Sequence, residues 1–230
     1  MDIQLYAVEA GTGAPLILLH GNGEDGSYFK HQIPHFSKHY HTIALDTRGH
    51  GRSPRGTAPF RIGQFAEDLK AFMDGRGIQQ TILLGFSDGA NIAMRFALRW
   101  PGRVRGLILN GGNLDTRGVK PRIQLPIELG WRVASRFAGR SEQAKHNAEL
   151  LGLMVLDPNI RPEELAALQM PALVIAGSRD MIRTSHTRAI AAAIPGARLR
   201  ILPGTHFIAA KTPEAFNAAV EEFLRAAGLW

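Results

Sequence analysis

The chain has 230 residues, a hydrophobic fraction of 45%, a charged fraction of 20% and a formal net charge of +7. These values are typical of a soluble globular protein and favour one domain with an insertion over two full domains. No apolar run is long enough to span a bilayer, and the absence of cysteine excludes disulfides, thiolate metal sites and cysteine nucleophiles.

The basic residues are scattered along the chain and are not interleaved with aromatic residues, so nucleic-acid binding is not expected. The N-terminus lacks the basic and apolar regions of a signal peptide. We therefore expect a cytoplasmic protein with a small-molecule substrate and no membrane partner. The sequence leaves the oligomeric state open.

The first half of the sequence alternates strand and helix patterns. An edge strand is predicted at 3–8, a hairpin-type turn at 11–13 and, around 28–40, a helical stretch that Pro34 interrupts. An amphipathic helix is predicted at 62–74 and another helix at 90–100. The apolar run at 16–19 predicts a strand buried on both faces, and further strands are predicted at 42–45, at the apolar run 81–84 and at 104–109.

This alternation stops between residues 113 and 165, where no clear strand is recognisable but helical patches at 127–137 and 142–154 and a helix opening at 162–165 are. It resumes with strands at 172–176 and 199–202 and helices at 185–194 and from 213 onward. The order predicts an α/β protein with a mainly parallel sheet and helices on both faces. We expect a core of residues 1–112 and 166–230 and a small helical cap at 113–165.

A Gly85-x-Ser87-x-Gly89 motif lies between a predicted strand and a predicted helix. A strand that turns abruptly into a helix strains its corner residue, and glycines on either side allow close backbone approach. The Ser87 side chain would then project beyond the sheet, and the Asp88 N–H at the first helical turn would be free to bind a developing negative charge.

Three motifs together resemble the α/β-hydrolase superfamily. The Gly85–Gly89 motif resembles its nucleophile elbow, residues 20–23 (HGNG) resemble its H-G-x-G loop, and residues 46–53 resemble its D-x-R-G-x-G-x-S segment. The resemblance implies an α/β-hydrolase fold and a serine hydrolase that needs no cofactor or metal. Because Ser87 replaces the aspartate that dehalogenases and epoxide hydrolases of the superfamily carry, those two activities are not expected.

A serine hydroxyl needs a base within hydrogen-bond reach, and the base needs an orienting carboxylate. In this fold the nucleophile, acid and histidine follow in that order along the chain. His206, in the loop after the last predicted strand, is the expected base. Asp180, just past strand 172–176, is the expected acid, and Asp115, after strand 104–109, is the alternative because some relatives carry the acid there.

An acyl-transfer intermediate also needs two converging N–H donors for its oxyanion. Asp88 is expected to supply one backbone N–H, and the resemblance of the HGNG loop implies Asn22 as the second donor. The Asp88 carboxylate is unusual at this position. If it faced the pocket, it would disfavour anionic substrates.

The predicted reaction is hydrolysis of a small ester, thioester or lactone through an acyl-Ser87 intermediate. Carbon–carbon bond hydrolases share the same triad, and some relatives with intact triads are small-molecule receptors, so both remain alternatives. In the predicted cap, four apolar residues either line the pocket or only seal the cap to the core: Trp131, Phe137, Leu153 and Met154.

A dinucleotide-binding oxidoreductase is an alternative of another class. Gly21, Gly23 and Gly26 form a G-x-G-x-x-G pattern after a strand, with Asp46 about 20 residues further on. Two carboxylates within that loop would repel a bound pyrophosphate, which counts against this alternative. Histidines at 31, 35 and 39 have a spacing that could bind zinc, but Pro34 interrupts the helix, so a surface face is favoured.

Overall fold

The computed structural model describes residues 2–230. Seven strands form one sheet, and they are β1 (Ala7–Ala10), β2 (Ala14–Leu19), β3 (Tyr40–Leu45), β4 (Thr81–Phe86), β5 (Val104–Asn110), β6 (Ala172–Gly177) and β7 (Arg198–Leu202). The strand order is β1-β3-β2-β4-β5-β6-β7. Only β1 is antiparallel to its neighbour, and the other pairs are parallel.

Eight α-helices accompany the sheet in the described residues. They are α1 (Ile33–Phe36), α2 (Ile62–Gly75), α3 (Asp88–Arg99), α4 (Pro121–Phe137), α5 (Glu142–Leu156), α6 (Thr184–Ala193), α7 (Ile208–Lys211) and α8 (Pro213–Ala226). None of these helices has both the length and the apolar character needed to cross a bilayer. Helices on both faces of a mainly parallel sheet confirm the predicted α/β class.

Two apolar layers cover the sheet because its central strands are buried on both faces. In β2, Ile17 and Leu19 point into the layer that contains α2 and α3, whereas Leu16 and Leu18 point into the layer that contains α8. All six residues of β4 are buried as well. Continuous apolar runs rather than alternating ones are expected for such strands, and β4 therefore lies at the centre of the sheet.

The N-terminal hairpin prediction is wrong. β1 pairs with β3 and not with β2, so residues 11–13 connect two strands that are not neighbours. Gly11 has φ +79°, and a Cβ there would lie 2.2 Å from the Ser37 carbonyl oxygen. The turn therefore packs against the segment that precedes β3. Through this turn the chain crosses from one side of β3 to the other.

The helical stretch predicted around 28–40, with Pro34 as an interruption, is reduced to two short pieces. The structure has a 3₁₀ turn at Gly26–Phe29 and the four-residue helix α1. Pro34 lies at the start of α1, where its missing N–H is tolerated, but it cannot continue an earlier helix.

Helices α4 and α5 lie between β5 and β6, within the segment at 113–165 that we call the helical insert. The Gln124 side chain joins the two helices by donating to the Met154 carbonyl. Leu153 is 1% exposed and packs into the layer with α2 and α3, so it seals the insert to the core. The division of the chain into core and cap at these limits remains a prediction.

Candidate active site

The candidate nucleophile lies at the turn between β4 and α3. Ser87 has φ +53° and ψ −119°, a strained conformation for a residue with a Cβ. A Cβ at Gly89 would lie 1.9 Å from the Leu19 carbonyl oxygen, and one at Gly85 would lie 2.3 Å from the Gly89 carbonyl oxygen. Only glycine fits these two positions, which is why the G-x-S-x-G spacing can form this turn.

Three predicted residues come together beyond the carboxyl ends of the parallel strands. Ser87 follows β4, Asp180 follows β6 and His206 follows β7. His206 Nε2 lies 3.0 Å from Ser87 Oγ, and His206 Nδ1 lies 2.6 Å from Asp180 Oδ1. These distances form a continuous hydrogen-bonded chain from the hydroxyl through the imidazole to the carboxylate.

The carboxylate at the end of this chain is buried and fixed. Asp180 is 2% exposed and His206 is 5% exposed. Asp180 Oδ1 also accepts the Ile182 N–H at 2.9 Å, and the Lys120 ammonium donates to the Asp180 carbonyl oxygen. A buried carboxylate held this way can orient an imidazole and stabilise its protonated form.

The carboxylate of the alternative acid, Asp115, binds groups other than His206. It caps the 3₁₀ turn at Thr116–Gly118 and forms an ion pair with Arg117 at 2.6 Å. The structure records no hydrogen bond between its carboxylate and His206 among residues 2–230. The geometry therefore favours Asp180 over Asp115 as the partner of the imidazole.

The two expected oxyanion donors are both unused. Asp88 is the first residue of α3, so its N–H has no carbonyl within the helix to bind. Neither its N–H nor that of Asn22 donates to a backbone carbonyl in the described part of the chain. The Asn22 side chain approaches the elbow, since its Nδ2 lies 3.0 Å from Asp88 Oδ2.

The Asp88 carboxylate connects three parts of the fold. It accepts hydrogen bonds from Asn22 and from Asn91 Nδ2, the latter at 3.2 Å, and Asn22 Nδ2 also donates to the Leu150 carbonyl of α5 at 2.8 Å. Burial raises the pKa of Asp88 to about 6, although the hydrogen bond from Asn22 opposes this. The carboxylate thus links the elbow to the HGNG loop, and through Asn22 to the helical insert.

Two further residues of this loop were not predicted to have a role. Burial raises the pKa of Glu24 to about 7, and its Oε2 accepts the Gly21 N–H at 3.3 Å. Burial also lowers the pKa of His20 to about 4. The Thr47 N–H donates to His20 Nε2, so Nδ1 carries the proton and donates to the Gly21 carbonyl at 2.7 Å. Both side chains therefore shape the loop that carries Asn22.

The arrangement needed for dinucleotide binding is absent from the described residues. Gly26 begins a four-residue 3₁₀ turn rather than a long helix whose N-terminus could hold a pyrophosphate. Both carboxylate oxygens of Asp46 are occupied, by the N–H groups of Gly26 and Arg52 at 2.8 Å each. The G-x-G-x-x-G pattern is therefore part of a loop that Asp46 fixes to the end of β3.

The histidines at 31, 35 and 39, whose spacing could bind zinc, do not form a cluster. Within residues 2–230, no group of three or more His, Asp or Glu side chains could hold a metal ion. His35 lies beside Glu221, and His39 packs against Trp230.

Comparison with known proteins assigns the family. Residues 14–149 match the family model described as alpha/beta hydrolase fold. The chain belongs to this α/β-hydrolase family. It is 27% identical to 3-oxoadipate enol-lactonase 2 of Acinetobacter baylyi, over 97% of this chain and 94% of that protein. It is 26% identical to the human serine hydrolase BPHL, over 97% of this chain and 84% of that protein.

A solved structure shows the same fold over the whole chain. A thermophilic esterase from Thermogutta terrifontis, with malate bound, superposes with a TM-score of 0.81 at 25% identity, covering 98% of this chain and 94% of the esterase. These relatives are hydrolases by name, and together they support a hydrolase activity for this α/β-hydrolase.

Proposed function

We propose that the protein is a serine hydrolase that cleaves a small ester, thioester or lactone through an acyl-Ser87 intermediate. The observation that supports this most directly is the hydrogen-bonded chain from Ser87 Oγ through His206 to Asp180. The strained turn supports it too, because a conformation that costs about 1–3 kcal/mol persists only where the fold enforces it.

The proposed mechanism assigns a step to each of these residues. His206 Nε2 accepts the Ser87 proton as Oγ attacks the substrate carbonyl carbon, and Asp180 stabilises the imidazolium that forms. The N–H groups of Asn22 and Asp88 bind the oxyanion of the tetrahedral intermediate. When the intermediate collapses, His206 gives the proton to the leaving alcohol, thiol or ring oxygen.

The second half of the reaction restores the enzyme. Water enters in place of the leaving group, His206 removes a proton from it, and the resulting hydroxide attacks the acyl carbon. Collapse of the second intermediate breaks the bond to Ser87 Oγ, which takes the proton back from His206. The products are a carboxylic acid and the alcohol or thiol, or one hydroxy acid from a lactone.

The substrate class rests on the relatives as well as on the site. The name of the Acinetobacter baylyi relative assigns it an enol-lactone and that of the Thermogutta terrifontis relative an ester bond. Both bonds present a carbonyl carbon to a nucleophile and an oxygen leaving group to an acid. This chemistry matches what Ser87 and His206 can do together.

The test uses p-nitrophenyl esters of increasing acyl length and a series of lactones. We expect multiple turnovers, with kcat lowered roughly 10⁴-fold or more by Ser87→Ala because triad members act as a unit. Ser185→Ala, an exposed serine of α6, is the matched control and should retain wild-type kcat. A single burst without turnover would instead indicate a receptor, and full activity in Ser87→Ala would contradict the proposal.

A further inference from the structure

The outer face of α4 carries most of the exposed large apolar side chains of the described residues. Seven such side chains are exposed in the whole structure, and four of them lie on this helix, at Leu125 (62%), Leu129 (64%), Val133 (50%) and Phe137 (41%). They are spaced four residues apart, so they form one stripe along the helix axis. Scattered exposed apolar residues are ordinary, but a continuous stripe marks an interaction surface.

Arginines border this stripe. They lie within or just after α4 and are all exposed, at Arg122, Arg132, Arg136 and Arg140. None of the four forms an ion pair with a carboxylate of residues 2–230, whereas arginines on other elements do, for example Arg61 with Asp157. The one acidic residue of α4, Glu128, is half-buried, accepts a hydrogen bond from Gln124 and lies beside Leu125 at the N-terminal half of the helix. We call these four arginines and four apolar residues the α4 face.

The opposite side of α4 fixes the helix to the protein. Gln124 is 5% exposed and donates to the Met154 carbonyl of α5. The Trp131 indole lies against Gly152, where a Cβ would come within 3.4 Å of its Nε1. The α4 face is therefore not the helix's attachment surface.

A depression of about 310 Å³ continues the surface at the N-terminal end of α4. Pro121 and Leu125 form part of its wall, together with Arg183, which is exposed and has no ion-pair partner in the described chain. The depression thus combines apolar side chains with one unpaired arginine, and Glu128 also lines it.

We propose that the α4 face docks the protein onto the surface of an anionic phospholipid bilayer. Interfacial helices of this kind place leucine, valine and phenylalanine side chains among the acyl chains and arginines at the phosphates. Arginine stems reach along apolar surface while their guanidinium groups stay at the headgroups. Each arginine close to an anionic surface strengthens binding about fivefold.

The same features argue against two other partners for the α4 face, a second copy of the chain and a different protein. A second copy of the chain would bring two α4 faces together and place eight unpaired arginines in one contact, where like charges repel. A protein partner needs a shaped, acidic surface of its own, whereas the convex outer side of a single helix fits a bilayer without shape complementarity. The predicted absence of a membrane partner rests on the lack of a spanning run, which a peripheral contact does not need.

Vesicle co-sedimentation tests the proposal with the full chain. We expect binding to vesicles of phosphatidylcholine mixed with phosphatidylglycerol and little binding to phosphatidylcholine alone. Arg132→Gln/Arg136→Gln should lower the partition coefficient about 30-fold, because two arginines are lost. Raising the ionic strength to about 1 M, where the Debye length falls to about 3 Å, should weaken wild-type binding in the same direction.

Two further variants separate local docking from overall charge. Arg188→Gln/Arg198→Gln removes the same charge from exposed, unpaired positions outside the insert and should leave the partition coefficient within about twofold. Leu125→Gln/Leu129→Gln keeps the charge and should still abolish most binding. Turnover of a soluble p-nitrophenyl ester should stay at the wild-type value in all three variants, which shows that they are folded.

Three outcomes would overturn the proposal. One is no sedimentation of the wild type with the anionic vesicles at low ionic strength. Another is an equal loss of binding in Arg188→Gln/Arg198→Gln and Arg132→Gln/Arg136→Gln, which would mean non-specific attraction by net charge. The third is a dimer in analytical ultracentrifugation that Leu125→Gln/Leu129→Gln dissociates, which would assign the face to self-association. None of these outcomes bears on the role of Ser87.

Discussion

Asp180 is held from two sides, because Ile182 donates to its carboxylate and Lys120 donates to its carbonyl oxygen. Its second carboxylate oxygen has no hydrogen-bond partner within residues 2–230. The charge of this buried group is therefore balanced mainly by His206 and by one backbone N–H. In this geometry the Asp180 carboxylate, and not that of Asp115, orients the His206 imidazole.

Asp180→Asn should lower kcat roughly 10³- to 10⁴-fold on a p-nitrophenyl ester. The amide would place an NH₂ or a neutral oxygen at His206 Nδ1, which favours the wrong tautomer and removes the stabilising charge. Asp115→Asn is the matched control and should keep kcat within about twofold, because its carboxylate binds Arg117. A silent Asp180→Asn with a crippled Asp115→Asn would assign the acid to Asp115.

Glu24 makes stability depend on pH in a defined direction. Burial raises its pKa from 4.5 to about 7. The folded state therefore holds this proton more tightly than the unfolded state, so the resulting stability is complete below pH 4.5 and is lost as the pH rises through 7. Glu24→Gln stays neutral, so its free energy of unfolding should exceed that of the wild type by on the order of 1 kcal/mol near pH 8. Near pH 4.5 the two proteins should have almost the same stability.

Urea denaturation near pH 8 and near pH 4.5 measures this difference in the free energy of unfolding. Asp25→Asn supplies a control of opposite sign, because hydrogen bonds from Ser27 hold the pKa of Asp25 below its usual range. That variant should lose stability near pH 8 relative to the wild type. Equal effects of Glu24→Gln at both pH values would show that Glu24 does not titrate in the neutral range.

The element that positions the site is the turn from β4 into α3. Its strand is central in the sheet, and its Ser87 N–H donates to the Asn110 carbonyl of β5 at 2.8 Å. The first turn of α3 passes so close to the end of β2 that residue 89 has no space for a Cβ. The position of Ser87, the proposed nucleophile, is therefore set by backbone packing between neighbouring strands.

Gly89→Ala should destabilise the protein by about 3 kcal/mol or more, because its Cβ would overlap the Leu19 carbonyl oxygen. Gly63→Ala is the matched control in α2, where an added Cβ meets no atom within 4 Å. It should stabilise by up to about 1 kcal/mol, since alanine is the better helix former. The free energies of unfolding from urea titrations decide this, and similar values for both variants would contradict the packing argument.

Some of these elements could be predicted from the sequence and others could not, because each kind of sequence pattern carries different structural information. Apolar runs predicted β2 and β4, and the glycine spacing predicted the turn at Ser87. The pairing of β1 with β3 could not be predicted, because hydrophobic pattern shows that a strand exists but not which neighbour it takes. The contact between Asn22 and Asp88 joins residues 66 positions apart, and it arises only from the folded loops.

Across the whole molecule, a buried charge network joins the N-terminal segment, the turn after β3 and α2. Arg48 is completely buried and donates to Asp68 at 2.7 Å and to Asp2 at 2.6 Å. In the segment that resembles D-x-R-G-x-G-x-S, Asp46 accepts the Gly26 N–H and Arg48 donates to Asp2, so both side chains hold loops in place. The raised pKa values of Glu24 and Asp88 were not predictable, because burial alone produces most of each shift.

Arg48→Met should destabilise the protein by about 3–5 kcal/mol, because Asp68 would be left buried without its cation. Arg99→Ala tests an exposed ion pair, that with Glu67, and should change stability by less than about 1 kcal/mol. Thermal unfolding followed by circular dichroism distinguishes the two. A loss of less than about 1 kcal/mol in Arg48→Met would show that the network contributes little.

The central claim is that His206 and Asp180 make the Ser87 hydroxyl nucleophilic. The most direct measurement is labelling with a fluorophosphonate probe, followed by peptide mass mapping and by the rate of adduct formation. We expect a single adduct on Ser87, none in Ser87→Ala, and labelling slowed by on the order of 10³-fold or more in His206→Gln. An adduct on another serine, or an unchanged labelling rate in His206→Gln, would contradict it.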